Sequence, residues 1–245
     1  MSILAQIRRE FLAFFYSPIA YVVLVAAMAV NGVVFGMIVS FLSDPHSGHG
    51  AALEIMFSNE FYWILVLVVS PLITMRLLSE ERSSGTLETL LTAPISETGV
   101  VVAKYFAAVC FWVVLWLPTT AYVLVLSRYS EIDLGPVLSG YLGTLGVGMM
   151  LLAIGLFFSA LAKNQIVAAL LGFGVNMTLF LVGLSESIGS EQSSESVIGY
   201  MNLFEHMTDF ARGIVDTRHL VYYASLTLFT LFCAVQVLQA RRWRG

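Results

Sequence analysis

Along most of the 245-residue chain the hydrophobic positions do not alternate with polar ones; they run on, and residues 11–43, 61–75 and 105–127 contain no Asp, Glu, Lys or Arg. A helix crossing a bilayer needs about 20 mostly apolar residues, because its backbone polar groups must be satisfied within the segment. Six windows meet that condition, 19–42, 60–79, 99–127, 138–162, 165–184 and 220–240, and they predict an all-α integral membrane protein of one domain, residues 1–245. Pro18 suits a first helical turn, whereas Pro71 and Pro118 predict kinks. Only 15 residues separate Glu60 from Arg76, so the Arg76 side chain must stretch to the interface. Lys163 and Asn164 alone separate windows four and five, with Gln165 opening the fifth, which predicts a tight hairpin.

Three shorter stretches are amphipathic. In residues 2–16, Ile3, Ile7, Phe11 and Phe14 or Phe15 recur at helical spacing with Gln6, Arg8, Arg9 and Glu10 between them. This predicts a helix lying in the interface over residues 1–18. In segment 80–96, EERSSGTLETLLTAPIS, Leu87, Leu90 and Leu91 share one helical face and Glu88, Thr89 and Thr92 the other. Gly85 breaks the chain before this two-turn helix, Ser83 or Ser84 caps it and Pro94 stops it. The loop 185–218 starts with the Ser/Glu-rich SESIGSEQSSES, expected to be flexible. It continues with Met201, Phe204, Met207, Phe210 and Ile214 at spacings of three and four, either an outer helical hairpin or a plain interfacial cap.

With both ends on one side of the membrane, nine of the twelve Lys and Arg residues fall there, and only Arg128, Arg212 and Arg218 fall on the other. The positive-inside rule therefore predicts cytoplasmic termini. Trp243, Tyr222 and Tyr223 stand where an interfacial aromatic belt is expected. Charged residues make up 11% of the chain, hydrophobic residues 58%, and the net charge is −4, which suits no nucleic-acid role. Cys110 and Cys233 sit in apolar runs and offer neither a disulfide framework nor a zinc spacing. The uncharged run after the basic start is too long for a cleavable signal core and is expected to be retained.

Little in the chain suggests chemistry of its own. No G-x-x-x-x-G-K-[ST] loop is present for nucleotide phosphates, and the VLSGY fragment at 137–141 opens a membrane helix. Asp44, His46 and His49 form a weak metal candidate on a glycine-containing loop, and no metal is expected there. Asn31 and Asn176 need polar partners inside the bilayer, across helices or along a path between chains. Gly32 and Gly36 allow close helix approach, and Gly140, Gly143 and Gly146 predict tight packing of the fourth span. An ion-coupled secondary transporter would need ionisable groups near mid-membrane, which the spans lack. An intramembrane enzyme would need a hydrolase motif or a histidine well inside a span, also lacking.

Residues 75–96, MRLLSEERSSGTLETLLTAPIS, followed by Lys104, resemble the motif of ABC-2 type permeases, the membrane subunits of ABC exporters. The tail 210–243, FARGIVDTRHLVYYASLTLFTLFCAVQVLQARRW, resembles the gliding-motility branch, close to the nitrous-oxide-reductase-maturation permeases. The resemblance implies that Gly85, Thr86, Leu87, Glu88, Leu90, Leu91 and Pro94 form a coupling helix seated in a separate ATPase subunit, with Glu80, Glu81 and Arg82 fastening its base. It further implies an elbow helix at the N-terminus and an external gate built on Met201, Phe204, Met207 and Phe210. This chain would bind no cofactor, and two ATPase copies would hold ATP and Mg. The other implied partners are a second permease copy, identical or not, and an accessory periplasmic or membrane protein. The implied location is a bacterial cytoplasmic membrane.

Overall fold

The computed structural model describes residues 3–43, 51–85, 96–128, 133–189 and 199–242, and all regular structure among them is helical. The chain runs through α1 (Ile3–Phe15), α2 (Pro18–Leu42), α3 (Ala51–Ser58), α4 (Glu60–Thr74), α5 (Ser79–Ser83), α6 (Glu97–Trp116), α7 (Thr120–Leu126), α8 (Leu134–Leu161), α9 (Gln165–Gly189), α10 (Leu203–Ala211) and α11 (Thr217–Arg242). Among the described residues, six stretches are long and apolar enough to cross a membrane: Pro18–Leu42, Glu60–Ser83, Glu97–Leu126, Leu134–Leu161, Gln165–Leu184 and Thr217–Ala240.

Breaks follow the prolines. Without an N–H, Pro71 weakens the ladder of α4, and beyond Thr74 the chain passes through turns before α5 starts at Ser79. Pro118 stands in a 3₁₀ turn, Leu117–Thr119, that separates α6 from α7. Starts are capped where the side chain allows: Asn59 accepts from the Tyr62 N–H, Ser96 from Gly99 and Asp133 from Gly135.

Helix α8 lies at the centre and touches α3, α4, α5, α6, α9, α10 and α11. Its glycines let those neighbours in. A Cβ on Gly140 would fall 2.5 Å from the Phe57 ring, on Gly143 2.7 Å from Phe210 and on Gly146 2.8 Å from Tyr223. Gly148 and Gly155 make the same room for Trp112 and Thr74. Each aromatic ring buried this way contributes roughly 1.5–3 kcal/mol that a bulkier helix would forfeit. The close approach expected at Gly32 and Gly36 is not made among the described residues: a Cβ on Gly36 meets none of them within 4 Å, and one on Gly32 only the Tyr122 hydroxyl at 3.9 Å. Helices α4, α6 and α8 are mostly buried, whereas α2, α9 and α11 keep largely exposed faces.

Two expected faces are rotated. On α1 the side chains turned to the bundle include Gln6 and Glu10 beside Phe14, while Ile3 is half exposed. Glu10 lies on the same stripe as Ile7 and Phe14, spaced three and four, so a polar group occupies a position that the apolar pattern leaves unexplained. On α10 the buried face is Leu203, His206, Met207, Phe210 and Ala211, and Ile214 is exposed beyond the helix. Tyr223 belongs to no surface belt, for it is buried against Gly146.

Candidate functional site

At the end of the bundle that carries α1, the segment from Met75 to Gly85 is tied to α8, to α6 and to the α1–α2 corner. Because α4 breaks, the Leu78 and Ser79 N–H groups lose helical acceptors. Both instead donate to Ser159 Oγ of α8, at 3.1 and 3.2 Å, and that hydroxyl donates to the Met75 carbonyl at 3.1 Å. Arg76 pairs with Glu80 at 3.2 Å and donates to Ser17 Oγ at the α1–α2 corner.

The three charges of the Glu80-Glu81-Arg82 run each have a different task. Glu80 pairs locally, with Arg76 of the turn just before α5. Glu81 Oε1 lies 2.7 Å from Lys104 Nζ of α6, and the same ammonium lies 2.9 Å from Glu10 Oε2 of α1. Arg82 donates at 2.8 Å to the carbonyls of Leu161 and Ala162, where α8 ends and has no further N–H to bond them. Gly85 closes the segment at φ +73°, a left-handed conformation natural to glycine, with its N–H on the Arg82 carbonyl.

Lys104 is only 2% exposed. A lone ammonium so buried would be costly, and two carboxylates offset that cost. Burial opposes ionisation of Glu10, but the charge and hydrogen bond of Lys104, with help from Arg9, outweigh it and hold the carboxyl below its ordinary range. A cavity of about 390 Å³ lined by Arg9, Arg76, Glu80 and this triad separates α1 from the α4–α5 break. Stacking of Phe14 on Phe111, ring centres 5.0 Å apart, fixes α1 beside α6. Glu81 and Arg82 are thus held by contacts to α6 and α8.

The residues Thr86, Leu87, Glu88, Leu90, Leu91 and Pro94 lie outside the described residues, as do Asp44, His46, His49 and Trp243. No group of three or more His, Cys, Asp or Glu able to hold a metal occurs among the described residues. Asn31 spends its amide on the Ala27 carbonyl one turn back. Asn176 is fully buried and donates to Ser70 Oγ at 3.2 Å, a bond between α9 and α4.

At the opposite end of the bundle α10 is held against α8. Phe210 fills the Gly143 notch and its carbonyl accepts from Ser139 Oγ at 2.6 Å, while Tyr62 Oη lies 3.5 Å from Met207 Sδ. Phe204 is partly buried beside Trp63, and Met201 sits in a 3₁₀ turn ahead of the helix. His206, which the residue pattern did not single out, stacks on His219 of α11 at 3.8 Å, and His219 faces Asp209 at 3.1 Å. Burial and the neighbouring His219, opposed by Asp216, bring the pKa of His206 down to about 3.

Glu10, Lys104 and Ser159 are contributors that the residues alone did not mark as one site. A signal existed: a glutamate on the buried stripe of α1 and a lysine one turn inside an apolar span each require a partner. Among curated proteins no match was found. The family described as "ABC-2 family transporter protein" matches residues 7–182, which include α1 from Ile7 onward, the Met75–Gly85 segment with Lys104, and α8. The chain belongs to the ABC-2 transporter family and is a multi-pass membrane component of an ABC transporter.

Proposed function

We propose that this chain is the permease subunit through which a separate ATPase drives export, or transmits force, across a bacterial cytoplasmic membrane. The segment beyond Gly85, with Leu87, Leu90 and Leu91 on its apolar face, docks on the ATPase, and both termini are cytoplasmic. Two ATPase copies bind ATP and Mg, and their closure pushes this segment. A second permease copy, identical or related, completes the path, and an accessory periplasmic or membrane protein acts with it. The tail 210–243, beyond the matched residues, supports the gliding-motility branch.

The observation that carries this reading is the fastening of Met75–Gly85 to α6 and α8 directly, and to α1 through the shared Lys104 ammonium and the Ser17 corner. A segment bonded to one helix would swivel when pushed, whereas one bonded to three moves them together. Replacing Leu87 and Leu90 with Glu is expected to release the ATPase from detergent-purified complex while all six spans still insert. Retention of ATPase at the wild-type ratio would refute the docking role.

A further inference from the structure

Near the end of the bundle that carries α10, a cavity of about 930 Å³ opens sideways between α2, α4 and α9. That volume lies at the upper end of ligand cavities, ~300–1,000 Å³. Its walls are Phe, Met, Leu, Ile and Val almost throughout, and its polar residues, Ser58, Asn59 and Glu60, are all at the start of α4. From Glu60 to Val68, both on the lining, the helix rises ~12 Å. That is close to the ~15 Å depth of one leaflet's hydrocarbon.

Two polar features mark what fits there. Asn59 is already used as a cap, accepting from the Tyr62 N–H and donating to the Ile55 carbonyl. Glu60 is the one charged residue on the lining, and it has no ion-pair partner among the described residues. Trp63 also lines the cavity and is 2% exposed, yet its Nε1–H has no acceptor among the described residues. A buried donor without an acceptor costs about 1–3 kcal/mol. The site therefore offers an apolar slot one leaflet deep, a negative charge at its mouth and an unused donor below it.

We infer that this cavity binds a phospholipid with an amine headgroup, of the phosphatidylethanolamine type, with its acyl chains in the slot. The ammonium faces Glu60, and a phosphate or ester oxygen accepts from Trp63. An anionic lipid lacks the cation that Glu60 selects. The inference concerns occupancy of this cavity and requires neither the ATPase nor the assigned orientation.

The test uses the full chain, purified in detergent and mixed with equal amounts of dioleoyl phosphatidylethanolamine and dioleoyl phosphatidylglycerol, with bound lipid read by native mass spectrometry. Wild type is expected to retain the ethanolamine lipid about fivefold over the glycerol lipid, the upper end for a partly exposed ion pair. Glu60→Gln, a change at an exposed position, should bring the ratio near one, and Trp63→Phe should reduce total bound lipid. Equal retention by wild type, or a ratio unchanged in Glu60→Gln, overturns the inference. So does complete disulfide cross-linking between copies carrying Ile64→Cys in native membranes, since the slot would then be covered by a second copy.

Discussion

Lys104 Nζ on α6 stands 2.7 Å from Glu81 Oε1 in the broken end of α4, although the two residues are 23 positions apart. The ammonium is buried and the carboxylate is not fully so, which makes Lys104 the member whose loss matters most. Lys104→Met removes the cation that Glu10 and Glu81 share and leaves Glu10 to the exposed Arg9. The variant is expected to lose about 3–5 kcal/mol, the usual cost of breaking a buried pair from one side. Glu10→Gln should lose less, because Glu81 still neutralises the lysine. Thermal unfolding of the detergent-purified chain checks both.

The same triad sets a response to acid. The folded pKa of Glu10 lies below its ordinary value, so the folded state binds fewer protons than the unfolded one in that range. Its stabilising contribution is complete above the unfolded carboxylate value, ~4.5, and is lost as pH falls through the folded value. Comparing wild type with Glu10→Gln across pH 3–6 (~3 units) should show a flatter stability profile in the variant.

A second acid response belongs to the other end of the bundle. His206 is held neutral by burial and by His219, with Asp209 and Asp216 as the nearby acids and Tyr222 and Tyr223 as neutral neighbours. Its folded pKa of about 3 lies below the unfolded value, so its contribution is whole above ~6.5 and declines as pH falls toward 3. The loss approaches roughly 4–5 kcal/mol at most. Carbon-13 shifts of the histidine rings should place His206 as neutral down to pH 4–5 (approximately), and His206→Phe should remove this part of the pH profile.

The glycines separate into two kinds. Gly143→Leu would drive its side chain into the Phe210 ring, since even a Cβ sits 2.7 Å away. Overpacking of this sort costs about 1–3 kcal/mol or more, and loss of α10 docking should accompany it. At Gly36 there is open space, so Gly36→Ala should be neutral or gain up to ~1 kcal/mol from helix propensity. Unfolding temperatures of the two variants distinguish these outcomes.

Topology is tested by labelling. In a background with Cys110 and Cys233 replaced by Ser, a cysteine at Ser193 should react with an impermeant thiol reagent added outside cells, and one at Ser84 should not. The reverse pattern would overturn the assigned orientation.

Much of the architecture was legible from local pattern. Long uncharged runs specify spanning helices because the bilayer leaves the backbone no other partner, and Pro71 and Pro118 stand next to the observed interruptions because an absent N–H acts within one turn. The family was legible too, through residues 75–96. Less legible were the faces of the short helices. On α1 a glutamate lies on the buried stripe, and on α10 a histidine does; their partners, Lys104 and His219, come from other helices.

Pattern along the chain thus fixed which segments are helical and apolar, since those properties depend on neighbours within a turn or two. It could not fix that Glu81 reaches Lys104 and not water, that Ser159 fills the gap left by the α4 break, or that Gly143 is the seat of Phe210. Those pairings join residues 23, 80 and more, and 67 positions apart. They are settled when α8 packs at the centre and brings the helix ends to one level. A charge pattern states that a partner is required; only the packed bundle supplies the distance at which one is found.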